Sequence, residues 1–199
     1  MTAVVQEGRV EARQHGAMEY SQAPTDLDAV RMYRLGRVRE ELKKRDYAAI
    51  ILYDQLNTRY ATDATDMQLW CSHNENRFVY VPVEGPVIVF EYGGYEHLSE
   101  GLPGVDEVRK ITCWYYFAAG PRSQEMVTKW AAEIADLVSQ HGGGNKRVAI
   151  DRCGPLGPQE LAKHGISVHD GFELMEVARE IKSPGEIVLM RHAIDVCRR

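Results

Sequence analysis

From Pro24 onward, apolar residues recur at Leu27, Val30, Met32, Leu35, Val38 and Leu42 with charges between them, a spacing that predicts an amphipathic helix lying along a sheet. The period then changes. Ala48-Ala49-Ile50-Ile51-Leu52-Tyr53 is a continuous apolar run too short for a helix, and it predicts a strand covered on both faces. Residues 57–62 read as a further short strand or strand-like loop. Phe78-Val79-Tyr80-Val81-Pro82-Val83 and Val87-Ile88-Val89-Phe90 flank Glu84-Gly85-Pro86, a link short enough to demand an antiparallel hairpin, with Pro82 marking an edge or a strand end. A helical segment is expected over residues 92–98 and a strand over residues 107–112.

Pro121 suits a first helical turn. After it, Met126, Val127, Trp130, Ala131, Ile134, Leu137 and Val138 form one stripe that ends at Gly142-Gly143-Gly144. Arg147-Val148-Ala149-Ile150-Asp151 predicts a strand, residues 157–163 a short helix, Ile166-Ser167-Val168-His169 a strand, and residues 173–181 a helix. Lys182-Ser183-Pro184 breaks the chain and opens a last helical pattern that reaches Arg199 without a terminating Gly or Pro. The expectation is that this helix is interrupted and that the chain is the front part of a longer protein. Helices alternating with strands around one central hairpin predict a three-layer α/β domain with a mixed sheet. The expected division is a polar arm over residues 1–23, the α/β domain over 24–182, and the start of another domain over 183–199.

The 199 residues suffice for one substantial core, and 44% hydrophobic with 27% charged residues is the balance of an ordinary globular protein. Twenty-four Lys and Arg, scattered and outnumbered by 29 acids, leave no nucleic-acid footprint. No run reaches bilayer length and the opening residues lack a signal-peptide pattern, so a cytoplasmic protein without membrane partner is expected. Cys71, Cys113, Cys153 and Cys197 form no CxxC pair and read as unpaired thiols.

Gly142-Gly143-Gly144-Asn145 follows a helix and precedes a strand, the reverse of a phosphate-binding loop, and neither GxGxxG nor GxxxxGK[ST] occurs. His73 and His97 have acidic neighbours but no HExxH spacing, and Asp63 and Asp66 are explained by capping and turns. There is no GxSxG elbow, and Cys113 has no nearby histidine in sequence to activate it. Two aromatic patches, Met67-Gln68-Leu69-Trp70-Cys71-Ser72-His73-Asn74 and Trp114-Tyr115-Tyr116-Phe117, suit a pocket wall or an interface, and equally core packing.

Asn57-Thr58-Arg59-Tyr60-Ala61-Thr62, together with Glu180-Ile181-Lys182-Ser183-Pro184-Gly185-Glu186-Ile187-Val188-Leu189-Met190-Arg191-His192-Ala193, resembles the creatinase/prolidase (M24) family, which includes aminopeptidase P. The second stretch corresponds there to the passage from the N-terminal α/β domain into the first helix of the catalytic pita-bread domain. Tyr60-Ala61-Thr62-Asp63-Ala64-Thr65-Asp66-Met67-Gln68-Leu69-Trp70 with His73-Asn74 is similar to the branch containing dimethylsulfoniopropionate lyases, although Cys71-Ser72 and Glu75-Asn76 depart from the pattern around the lyase histidine. The resemblance implies an itself noncatalytic, substrate-access and dimerisation domain of a metal-dependent Xaa-Pro peptidase-like hydrolase. The alternatives are the same domain of a lyase releasing dimethyl sulfide, or a free-standing binding or structural domain. It implies a homodimer acting on a small molecule or short peptide. Two divalent metal ions are implied in the intact enzyme, held by residues outside this segment, which itself supplies no metal ligand and no catalytic residue. Trp70, with Asp66, His73 and Tyr60, is the set expected to shape substrate access.

Overall fold

The first helix, α1 (Leu27–Lys44), turns Leu35, Val38 and Leu42 inward and leaves its basic end, Lys43 and Lys44, where cations favour the helix dipole. Met32 is 49% exposed rather than part of the buried stripe, because at 3.6 residues per turn it stands about 100° from the stripe's centre. The computed structural model describes residues 24–65, 71 and 73–198. These divide into two compact units, one of residues 31–181 and one whose described residues are 24–30 and 182–198, so that the division falls within α1.

The larger unit is built on a six-stranded sheet. Its strands are β1 (Ala49–Leu52), β2 (Phe78–Pro82), β3 (Ile88–Glu91), β4 (Glu107–Lys110), β5 (Arg147–Ile150) and β6 (Ser167–Asp170), in the order β4-β3-β2-β1-β5-β6. The hairpin is antiparallel as its short link requires, with Phe78 opposite Phe90 and Tyr80 opposite Ile88. β1 pairs antiparallel with β2 and parallel with β5, and the outer pairs β3·β4 and β5·β6 are parallel. Five strands therefore share one direction and β2 alone opposes them. Pro82 sits at the end of β2, opposite Ala49, so this proline ends an interior strand instead of marking an edge. The edges carry Glu107, Arg109 and Lys110 on β4 and Ser167, His169 and Asp170 on β6, polar residues that discourage further strand pairing.

Helices cover both faces, giving the three layers. On one, Ile51, Phe78, Tyr80 and Phe90 pack with Val127, Trp130 and Ile134 of the long helix Ser123–His141 and with Leu161 of the helix Leu156–Lys163. On the other, Ile50, Leu52, Val79, Val81 and Val89 meet Leu35, Val38 and Leu42 of α1 and Leu174, Met175 and Ala178 of the helix Gly171–Glu180. The glycine run stops the long helix as its position predicts: a Cβ on Gly142 would lie 2.5 Å from the Val138 carbonyl oxygen and 2.6 Å from that of Asn145. In chain order we label the helices α2 (Gln55–Thr62), α3 (Tyr116–Ala119), α4 (Ser123–His141), α5 (Leu156–Lys163), α6 (Gly171–Glu180) and α7 (Pro184–Cys197).

Two expectations are corrected. Residues 57–62 belong to α2, because the Asp54 carboxylate caps it by accepting from the Leu56 and Asn57 amides, satisfying donors that a helix start leaves open. Over residues 92–98 only the single 3₁₀ turn Glu96–Leu98 forms. Gly94 takes φ +94°, outside right-handed helical space, and its amide donates to the Glu96 carboxylate at 2.7 Å instead of entering a helical ladder. In the smaller unit, α7 opens with a reciprocal cap: Ser183 Oγ accepts from the Glu186 amide at 3.2 Å while Glu186 Oε2 accepts from the Ser183 amide at 2.8 Å.

Candidate functional site

Because β1, β3, β4, β5 and β6 point the same way, their carboxyl ends meet along one edge of the sheet, where open α/β folds place ligands. Chemistry-bearing residues gather there. Asp151 follows β5, and its carboxylate accepts from the Tyr53 amide at 2.8 Å, the Asp54 amide at 3.2 Å and Asn57 Nδ2 at 2.9 Å. One side chain thus ties the end of β5 to the end of β1 and to the first turn of α2. Burial pushes Asp151 up to about 6, against the hydrogen bonds from Asn57, Tyr53 and Asp54 that favour its charge. The sequence offered only an acidic residue at a strand end, and its partners lie across the fold.

Close by, burial raises the Glu75 carboxyl while the Arg152 charge opposes the shift. Burial also pushes the Cys153 thiol up to about 12 and that of Cys113 up to about 11, so neither offers a thiolate near neutral pH. Trp114 is buried and packs against Trp130 with ring centroids 5.6 Å apart, whereas Tyr116 and Phe117 are exposed. The second aromatic patch therefore divides: its first member is core and its later members are surface. Beneath this edge, Arg77 and Glu91 form an ion pair of 2.6 Å between fully buried side chains, with Ser99 hydrogen-bonded to both.

At the carboxyl ends of β3 and β4 lies an open cavity of about 390 Å³, walled by Tyr92, Lys110, Ile111, Cys113, Arg122 and Met126 among others. A second cavity of similar volume, with Lys43, Tyr47, Glu84 and His141 in its wall, lies at the opposite end of the sheet.

Of the four residues expected to shape substrate access, Trp70 and Asp66 lie outside the described residues, as does the arm of residues 1–23. Tyr60 is half-buried on α2, donates its hydroxyl hydrogen to the Ala178 carbonyl at 3.0 Å and stacks beneath the Arg34 guanidinium, 5.5 Å from the ring centroid. Its polar tip is thereby committed to α6. His73 is exposed. Among the described residues no group of three or more His, Cys, Asp or Glu could hold a metal ion, so the donor set present does not fit the two-metal centre that the family resemblance implies. No helix among the described residues is long and apolar enough to cross a membrane.

Residues 34–183 match the Creatinase/Prolidase N-terminal domain family. The dimethylsulfoniopropionate lyase DddP of Roseovarius nubinhibens is 37% identical over 172 residues, a match covering 86% of this chain and 39% of that protein. The chain thus spans about two fifths of the length of the curated relatives it matches. Solved structures of the family's peptidases share the fold. An Xaa-Pro aminopeptidase from Streptococcus pyogenes superposes with a TM-score of 0.53 at 14% identity, covering 76% of this chain and 98% of that one. The prolidase of Pyrococcus horikoshii OT3 gives 0.54 at 14% identity, covering 82% of this chain and 40% of its own.

Proposed function

We propose that this chain, which belongs to the creatinase/prolidase N-terminal domain family, is the itself noncatalytic, substrate-access and dimerisation part of a longer metal-dependent enzyme. The observation that carries the reading is that residues 34–183 match an N-terminal domain family while the chain spans about two fifths of the length of the curated relatives it matches. Such a unit can wall a pocket and exclude water. Among its described residues there is no group of three ligands on which a two-metal centre could rest.

Two chemistries compete for the longer protein. Identity of 37% over 172 residues supports a dimethylsulfoniopropionate lyase, whereas the solved peptidases share only the fold, which hosts several reactions. In the lyase, elimination would break a C–S bond and an adjacent C–H bond, form the double bond of acrylate, and release dimethyl sulfide and a proton. Trp70 is the residue in this chain best suited to that substrate, since an indole face attracts a sulfonium by about 0.5–2 kcal/mol. Asp66, His73 and Tyr60 are the other members of the substrate-access set in this reading, and a homodimer brings that set to a partner's centre. The Xaa-Pro hydrolase reading keeps the same division of labour with a short peptide as substrate.

The test compares this 199-residue chain with the longer protein that contains it, each assayed for bound Mn, Fe, Zn and Ni and for turnover of dimethylsulfoniopropionate, Xaa-Pro dipeptides and creatine. Metal and turnover are expected in the longer protein alone, with dimethyl sulfide as the product. Metal-dependent turnover by the 199 residues would overturn the noncatalytic assignment, and proline release without dimethyl sulfide would replace the lyase by the hydrolase. Trp70→Ala in the longer protein is expected to weaken substrate binding at unchanged metal content. A broad loss of thermal stability without selective loss of binding would instead make Trp70 a packing residue.

A further inference from the structure

We propose that the cavity at the carboxyl ends of β3 and β4 binds a small organic carboxylate with an apolar body. Its volume, about 390 Å³, lies within the range of sites that take small molecules. The wall has two parts. Ile111 and Met126, with the methyl groups of Ala118 and Ala119, present hydrocarbon, and the charged residues of the wall are Lys110 and Arg122. No acidic side chain lines the cavity among the described residues.

The two cations are not equivalent. Arg122 is engaged in a fork with Glu125, Nε to Oε2 at 2.8 Å and Nη2 to Oε1 at 2.9 Å, which cancels most of its attraction for an outside anion. Lys110 forms no ion pair among the described residues, and the acid that feels its charge, Glu96, has turned its carboxylate onto the Gly94 amide. Its stem passes close to Gly93, where a Cβ would lie 3.2 Å from Lys110 Cε and 3.6 Å from Nζ. The ammonium thus stands at the rim of an apolar hollow.

The combination selects the ligand class. A bare, strongly hydrated anion such as phosphate gains nothing from Ile111 and Met126, and a neutral apolar molecule gains nothing from Lys110. A carboxylate on a short hydrocarbon body uses both.

The chain is titrated with hexanoate, hexanamide and inorganic phosphate while the methyl resonances of Ile111 and Met126 are followed. Hexanoate is expected to shift both resonances saturably and to bind more tightly than either control. Lys110→Met keeps the hydrocarbon stem and should weaken hexanoate by about tenfold, the loss expected for one charge-assisted hydrogen bond, while leaving hexanamide unchanged. Because Lys110 is exposed, the melting temperature of Lys110→Met should match that of the parent, which separates loss of the site from loss of the fold. Equal affinity for hexanoate and hexanamide, phosphate binding as tight as hexanoate, an unchanged titration in Lys110→Met, or no methyl shift at all would each overturn the proposal.

Discussion

A single buried carboxylate, Asp151, holds the ligand edge of the sheet together, and its protonation has a definite thermodynamic sign. Burial moves it from 3.8 to about 6, so between those values the folded protein keeps a proton that the unfolded chain has lost. Its contribution to stability is therefore full below about pH 4 and falls as the pH rises toward 6, by on the order of 2–3 kcal/mol. Asp151→Asn, the neutral isostere of the protonated acid with no such titration, should lie closest to the parent at pH 4 and gain on it toward pH 7, as read from urea midpoints at the two values. Asp151→Ala removes the acceptor of the Tyr53 and Asp54 amides and should cost about 2–4 kcal/mol at pH 4, and on the order of 2–3 kcal/mol less at pH 7. Arg77→Met leaves the Glu91 charge buried without its partner and should cost about 3–5 kcal/mol, most of it recovered on adding Glu91→Leu. These residues were not legible in advance. An aspartate after an apolar strand reads as a turn, and only pairing across the sheet supplies Tyr53, Asp54 and Asn57 as its donors. Tyr60 was singled out from its motif, yet the hydrogen bond to Ala178 depends on how α6 packs.

At the level of elements, periodicity carried most of the reading wherever it was long. α4 is the clearest case: Trp130 is fully buried among Phe78, Trp114 and Ile134, and Trp130→Ala should lower stability by about 3–5 kcal/mol in denaturant melts. The hairpin was fixed by chain geometry, since the five residues between β2 and β3 cannot return a strand in parallel. Short elements were decided by end chemistry instead. In α2 the β-branched Thr58 and Thr62 and the aromatic Tyr60 favour a strand by propensity, but the Asp54 cap and the Thr58 hydroxyl on the Leu52 carbonyl settle a helix. The same chemistry opens α7. Ser183→Ala removes one half of its reciprocal cap and should cost about 1 kcal/mol, seen as roughly fivefold faster hydrogen exchange of the Glu186 amide while α4 is unaffected.

For the molecule as a whole, the proposed division of labour predicts that chelation of divalent metals leaves the melting temperature of this chain unchanged, while it lowers that of the longer protein. The fold class was legible because alternating strand and helix signals around one hairpin admit few architectures. The location of the ligand edge was not, since it follows from strand directions that only the pairings reveal. Those pairings also set a schedule. Tyr53 and Asp151, which close the junction between β1 and β5, are 98 residues apart in sequence, whereas β1, β2 and β3 are close neighbours. On a translating ribosome, at about 5–20 residues per second, the three-stranded meander, complete at Glu91, emerges roughly 3–12 s before β5 is available. Through that interval β1 keeps the backbone donors and acceptors of its β5 side unpaired, an edge open to mispairing that the finished sheet closes.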